Sequence, residues 1–156
     1  MAELKLVVDH LAGARRGERQ VLEIADRVRF GRHPDCDVEF DSHKDLDASS
    51  RHAELRHQAD GAFVLRDVGS SNGTYVDGAR VTLVELHPNQ PLRVQFGVGG
   101  PVLGLFLADE EEISGYAQPD PDPLPGSMRN QQGTLVAVLI ALIVAALAAI
   151  WWRFTS

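Results

Sequence analysis

Asp67-Val68-Gly69-Ser70-Ser71-Asn72-Gly73-Thr74-Tyr75-Val76-Asp77-Gly78 gathers two turn dipeptides, Asn72-Gly73 and Asp77-Gly78, around a short run suited to a strand. Both dipeptides tolerate the positive φ angles that tight hairpins require. A turn alone explains neither the Asp67 carboxyl nor the hydroxyls of Ser71 and Thr74, so the stretch carries more than a chain reversal. Outward from it, apolar and polar residues alternate. Leu4, Leu6 and Val8 do so, as do Leu22 and Ile24, Val28 and Phe30, Ala53 and Leu55, Phe63 and Leu65, Leu92, Val94 and Phe96, and the segment 102–107. Period-two alternation sets these side chains on one face of a sheet. Gly13, Gly17, His33-Pro34-Asp35, Asp60-Gly61, Pro88-Asn89 and the segment 97–101 punctuate them. Short strands at regular spacing, with no ten-residue helical pattern, predict an all-β fold over residues 1–109, an antiparallel sandwich or barrel.

The chain has 156 residues and a formal net charge of −7. No part of it has the basic excess that a nucleic-acid backbone demands, which argues against DNA or RNA as a partner. The one cysteine, Cys36, cannot close an internal disulfide and points weakly to a reducing compartment. The first residues lack a basic stretch followed by a long apolar one, so no cleaved signal peptide is expected. Residues 110–133 are acidic, with prolines at 119, 121, 123 and 125, and their composition predicts a flexible, disordered linker. Residues 134–152 then carry no charge and end on Trp151-Trp152 with Arg153 outside. Nineteen helical residues span roughly 28 Å, close to the hydrocarbon thickness of a bilayer, and the tryptophans fall where interfacial aromatics sit. One transmembrane helix is therefore expected over 134–152, followed by a short tail at 153–156. This describes a single-pass, tail-anchored protein with its N-terminal domain in the cytosol, since moving four residues across a bilayer is easier than moving a folded domain. Ala137, Ala141, Ala145 and Ala149 recur every fourth residue, a small-residue face along which two copies could associate.

Two further motifs precede the opening stretch: Gly31-Arg32, after the strand pattern of 28–30, and Ser49-Ser50-Arg51-His52-Ala53-Glu54-Leu55. In order, spacing and flanking residues, the three together resemble the forkhead-associated (FHA) family, over roughly residues 4–107. The resemblance implies a β-sandwich whose end loops bind phosphothreonine peptides. Such a ligand brings a charge near −2 and three acceptor oxygens, which calls for fixed donors and a permanent cation. By resemblance, Arg32 contacts the phosphate, and its planar fork is something a lysine does not reproduce. Ser49 and Ser71 donate hydroxyls to the phosphate, and the Asn72 amide clamps the peptide main chain. The position after Ser49, often Arg or Asn in the family, is Ser50 here, which leaves Arg51 as an accessory cation beside the peptide. A register one residue later would align Ser50-Arg51 instead, but it displaces His52, Ala53 and Leu55. Gly31, His52 and Gly73 support the loops without touching phosphate.

Ser49, His52 and Asp67 are also the residue types of a hydrolytic triad, but no Gly-x-Ser-x-Gly elbow accompanies them. The histidines lack paired metal-ligand spacing and no P-loop occurs, so no metal, cofactor or enzymatic activity is expected. The sequence thus describes a membrane-anchored adaptor for threonine-phosphorylated proteins, such as a Ser/Thr kinase or its substrates. The competing description is a structural module of a membrane complex that binds an unphosphorylated partner.

Overall fold

The computed structural model describes residues 3–124. Eleven strands among them form two sheets. In chain order they are β1 (Lys5–Ala12), β2 (Arg19–Glu23), β3 (Arg27–Gly31), β4 (Val38–Glu39), β5 (Ala53–His57), β6 (Phe63–Asp67), β7 (Thr74–Val76), β8 (Ala79–Val81), β9 (Leu83–Leu86), β10 (Leu92–Phe96) and β11 (Val102–Ala108). One sheet has the order β2-β1-β11-β10-β7-β8 and the other β4-β3-β5-β6-β9. The expected sandwich is therefore present. All its strand pairs are antiparallel except β3 with β4, where Phe30 lies opposite Val38 in parallel, a departure from the expected all-antiparallel arrangement.

Alternation decides which side chains meet between the sheets. Leu6 and Val8 of β1, Phe30 of β3, Leu55 of β5, Leu65 of β6, Val94 and Phe96 of β10 and Leu103, Leu105 and Leu107 of β11 are essentially without solvent contact. Phe96 anchors the end of this core nearest the candidate site. It stacks on Phe30 at 5.5 Å, meets Phe40 at 5.1 Å and lies edge-on to the His52 ring at 5.2 Å. Buried apolar surface of this kind contributes ~25 cal/mol per Å2, so the aromatic cluster is a stiff floor for the loops above it.

β11 is buried on both faces, which alternation alone does not predict. The reason lies in residues 109–122, and here the boundary expected at 109 changes. Asp109 caps a short helix, α1 (Glu110–Gly115), through a capping box with Glu112, and three glutamates in its first turn suit the helix dipole. Ile113 and Tyr116 then cover Val7, Phe106 and Ala108 on the outer face of the first sheet, with the Tyr116 ring stacked 3.9 Å from that of Phe106. Beyond Tyr116 the chain stays docked. Gln118 donates to the Gly17 carbonyl, the Asp122 N–H to the Leu11 carbonyl, and the Asp122 carboxylate pairs with Arg93. Residues 110–122 thus form a strap on the sandwich where the sequence suggested a free linker, because Ile113 and Tyr116 give an otherwise acidic segment two apolar contacts. The compact unit runs to Asp122.

The rest of the expected linker, the apolar run 134–152 and its alanine stripe at 137, 141, 145 and 149 lie outside the described residues. Among the described residues, no helix is long and apolar enough to cross a membrane.

Candidate functional site

Three loops meet at one end of the sandwich: β3–β4, β4–β5 and β6–β7. Their meeting begins where β3 ends. The His52 N–H donates to the Phe30 carbonyl, the Arg32 N–H to the Ser49 carbonyl at 3.1 Å and the His33 N–H to the Ser50 carbonyl at 2.9 Å. The β4–β5 loop therefore lies flat against Gly31, so close that a Cβ there would stand 2.2 Å from the Ser50 carbonyl oxygen. Only glycine permits that approach.

On this base the Arg32 side chain reaches back along the same loop. Its Nε donates to the Ala48 carbonyl at 2.6 Å and its Nη1 to the Ser42 carbonyl at 3.3 Å. Its hydrogen bonds go to carbonyls, and among the described residues no carboxylate neutralises it, so its positive charge remains available to a ligand. The loop beneath it is itself shaped by two aspartates. Asp41 accepts the N–H groups of His43 and Lys44, and buried Asp45 accepts those of Asp41 and, from the β1–β2 turn, Ala14.

From the other side, the β6–β7 loop is drawn onto the same segment. The Ser49 Oγ accepts the Ser71 N–H at 3.0 Å, and the Asn72 Nδ2 donates to the Asp47 carbonyl at 2.9 Å. Arg32, Ser49, Ser71 and Asn72 are therefore each tied to residues 47–49, and the structure brings all four together. Ser50 and Arg51 take no part in these ties. The Ser50 carbonyl is taken by His33, and Arg51 pairs with Asp35 at 2.7 Å, holding that carboxyl below its usual range. Arg51 borders a groove of about 500 Å3, which Arg29, Asp35, Cys36 and Val68 also help to line.

His52 joins the two loops from below. Its Nδ1 accepts the Ser49 N–H at 3.0 Å, which fixes the proton on Nε2, and Nε2–H donates to the Gly73 carbonyl at 3.0 Å. Burial is the main influence on the ring and lowers its pKa, outweighing the Gly73 bond and the Asp67 charge, which act in the opposite direction. The imidazole is thus a neutral bracket. Asp67 organises the β6–β7 loop in a similar way. It accepts the N–H groups of Gly69 and Ser70 and the hydroxyls of Ser70 and Thr74, while the Ser70 Oγ accepts the Gly73 N–H. Burial pushes the Asp67 carboxyl up, but the donors win and its pKa falls below the usual value.

The hydrolytic arrangement does not form. Ser49 meets His52 through its backbone N–H, the other imidazole nitrogen is spent on a carbonyl, and Asp67 is saturated by its own loop. Among the described residues there is also no cluster of three or more potential metal ligands. The sequence did not single out Ser70, Asp45 or the carbonyls of Ser42 and Ala48. Asp41 and Asp45, four residues apart in a polar loop, were the available signal for a side-chain-stapled turn.

The two-sheet sandwich, with an arginine, two serines and an asparagine on its end loops, is similar to FHA domains. The model of the FHA domain family matches residues 28–97, from β3 to the end of β10. Among solved structures, the FHA-1 domain of Mycobacterium tuberculosis Rv1747 aligns with a TM-score of 0.54 and 27% identity, over 69% of this chain and 99% of that one. An oxoglutarate dehydrogenase inhibitor of Corynebacterium diphtheriae is 55% identical over 47 residues, 30% of each chain. The glycogen accumulation regulator GarA of Mycolicibacterium smegmatis is 45% identical over 65 residues, 42% of this chain and 38% of that one. The alignments thus span less than half the length of these curated relatives.

Proposed function

We propose that this protein is a phosphothreonine-peptide-binding adaptor that recruits Ser/Thr-phosphorylated proteins to the cytosolic surface of a membrane. The observation that carries this is the tethering of Arg32, Ser49, Ser71 and Asn72 to one three-residue segment, 47–49. That arrangement presents an unneutralised guanidinium, two hydroxyls and a carboxamide from loops whose positions are fixed in advance. Preorganised donors of this kind suit a doubly charged phosphate, because little ordering is left for the ligand to impose. In this role Arg32, Ser49 and Ser71 hold phosphate, and Asn72 exchanges its bond to Asp47 for one to the peptide main chain. Ser50 and Arg51 meet flanking parts of the peptide, and Gly31, His52 and Gly73 keep the loops in register. The partner class is a threonine-phosphorylated protein, such as a Ser/Thr kinase or its substrates.

The membrane part of the proposal rests on residues 134–152, whose length and lack of charge match a bilayer. Calorimetry of phosphothreonine peptides and their unphosphorylated twins tests the first part. Equal affinity for the two members of a pair would leave a binding module without phosphate recognition. Carbonate extraction of cell membranes tests the second, and release of the protein into the soluble fraction would remove the anchor.

A further inference from the structure

The two sheets end in four edge strands, β2 and β8 in one and β4 and β9 in the other. β4 has two residues, β8 three and β9 four, whereas β2 offers five in a row, Arg19-Gln20-Val21-Leu22-Glu23. Its register with β1 determines where its backbone groups point. Leu6 lies opposite Leu22 and Val8 opposite Gln20, and one step further the His10 N–H donates to the Glu18 carbonyl at 2.8 Å. Bonded pairs alternate in an antiparallel ladder, so Gln20 and Leu22 turn their N–H and C=O groups to β1, and Arg19, Val21 and Glu23 turn theirs outward. Among the described residues, no backbone group takes those outward donors and acceptors.

The side chains of the same three residues share the outer face of the sheet, Val21 beside Val7 and Glu23 beside Lys5. Val21 is 46% exposed, while Leu22 points the other way and packs on the core. Arg19 is fixed in position, with three of its five donors on the Asp9 carboxylate and the Tyr116 carbonyl and two left over. The strap passes Arg19 at Tyr116 and leaves Val21 and Glu23 open to solvent. Laid antiparallel against a second copy with Val21 opposite Val21, the pentapeptide is self-complementary. Arg19 of each copy faces Glu23 of the other, and the outward residues fall in register as bonded pairs, each exchanging two N–H···O bonds. β9 has no such symmetry, because pairing it about Val84 sets Leu83 against Glu85.

We propose that β2 is a homotypic docking edge, on which a second copy of this chain pairs antiparallel about Val21 and joins the two six-stranded sheets into one. The relation is two-fold, so the contact closes as a dimer and does not propagate into a fibre. Five residues a side bury less than the ~1,200 Å2 of a stable interface, so the dimer is reversible and grows with concentration. The β1–β2 turn stands beside the candidate site, where Ala14 bonds to Asp45. Antiparallel pairing therefore turns the candidate sites of the two copies to opposite ends of the joined sheet and leaves both open.

The test is sedimentation of the full chain in detergent micelles over concentrations from about 10 μM to about 1 mM. The parent should pass from monomer to dimer within that range. Val21→Lys puts like charges face to face at the two-fold and should raise the dissociation constant at least ~10-fold, whereas Val21→Thr should pair as the parent does. Both variants carry the same residues 134–152, so association through that segment would not separate them. Cross-linking then locates the contact. Val21→Cys should form a disulfide-linked dimer under mild oxidation, since directly opposed residues lie about 5.5 Å apart at Cα. Glu23→Cys should not, since the two copies of position 23 are offset by about 13 Å along the strands. A parent that stays monomeric throughout, a Val21→Lys protein that pairs as tightly as the parent, or equal cross-linking at 21 and 23 overturns the proposal.

Discussion

His52 donates from Nε2 to the Gly73 carbonyl at 3.0 Å and so ties the start of β5 to the start of β7 beneath the candidate site. The same ring accepts the Ser49 N–H, so a single neutral side chain sets the spacing between a loop carrying one serine and a loop carrying the other. Removing it breaks two hydrogen bonds and empties a fully buried position against Phe96. His52→Ala should cost ~3 kcal/mol of stability, the scale for a cavity plus stranded polar partners. Urea denaturation measures this, and a change below ~1 kcal/mol would mean the loops hold themselves.

Arg32→Ala should lower phosphopeptide affinity by ~2–5 kcal/mol, the range for truncating one side of a desolvated charge pair. Arg32→Lys keeps the charge but cannot bond to Ala48 and a phosphate in one plane, so it should recover only a fraction. Both variants are measured by calorimetry beside a thermal melt, and parental binding by Arg32→Ala would remove the residue from the site.

Acid should loosen the domain before it protonates carboxylates. His52 and His10 are both buried, and burial lowers both pKa values, with a bond to Gln20 only partly offsetting the effect at His10. The unfolded chain therefore binds more protons than the native one as pH falls below the ordinary imidazole value near 6.5, and stability declines from there downward. Asp67, whose native pKa is depressed by its loop donors, adds a further loss at lower pH as its carboxyl protonates. Urea midpoints between pH 8 and pH 4 should be flat at first and then fall, and His52→Gln should reduce the slope between pH 6.5 and pH 5. A flat profile down to pH 5 would contradict the neutral bracket.

Gly31→Ala should destabilise by ~1–3 kcal/mol, because the new methyl group would meet the Ser50 carbonyl and push the β4–β5 loop outward. The displaced loop carries Ser49 and the carbonyls that hold Arg32, so phosphopeptide affinity should fall along with the thermal midpoint. Wild-type affinity in a destabilised Gly31→Ala protein would show that the site does not depend on this contact.

Tyr116→Ala should free the strap. The substitution removes the stack on Phe106 and the contact of the Arg19 guanidinium with the ring face at 5.1 Å. A loss of ~1–3 kcal/mol is expected, with faster amide exchange over residues 110–122. A fragment ending at 109 should be less stable than one ending at 122 for the same reason, since it bares Val7 and Phe106. Equal midpoints for the two fragments would make the strap incidental.

Much of the sandwich was legible because alternation marks strands that are buried on one face, as at Leu6 and Val8 or Leu55 and Leu65. The short strands were not. β4 has two residues and β8 three, too few for a period to show, and the parallel pairing of β4 with β3 depends on a loop whose course follows from Asp41 and Asp45. The strap escaped because its composition is that of a linker, and two large apolar residues in thirteen, Ile113 and Tyr116, decide its docking only once the outer face of β11 is known. At the site, the motifs marked Arg32, Ser49, Ser71 and Asn72, which the fold brings together. They could not mark what secures those residues, because the partners are backbone carbonyls, and a carbonyl belongs to every residue alike.

The strap also determines where this domain can be handled. β1 begins at one end of the sandwich, but the β1–β2 turn, with Gly13 against Pro101 and Ala14 bonded to Asp45, stands at the end that carries the candidate site. By bonding to Leu11 and Arg16, Asp122 brings the chain back to that same end. An affinity tag or fluorophore fused just after Asp122 would crowd incoming peptides, whereas one placed ahead of Leu4 would sit at the far pole and leave the ligand's approach open.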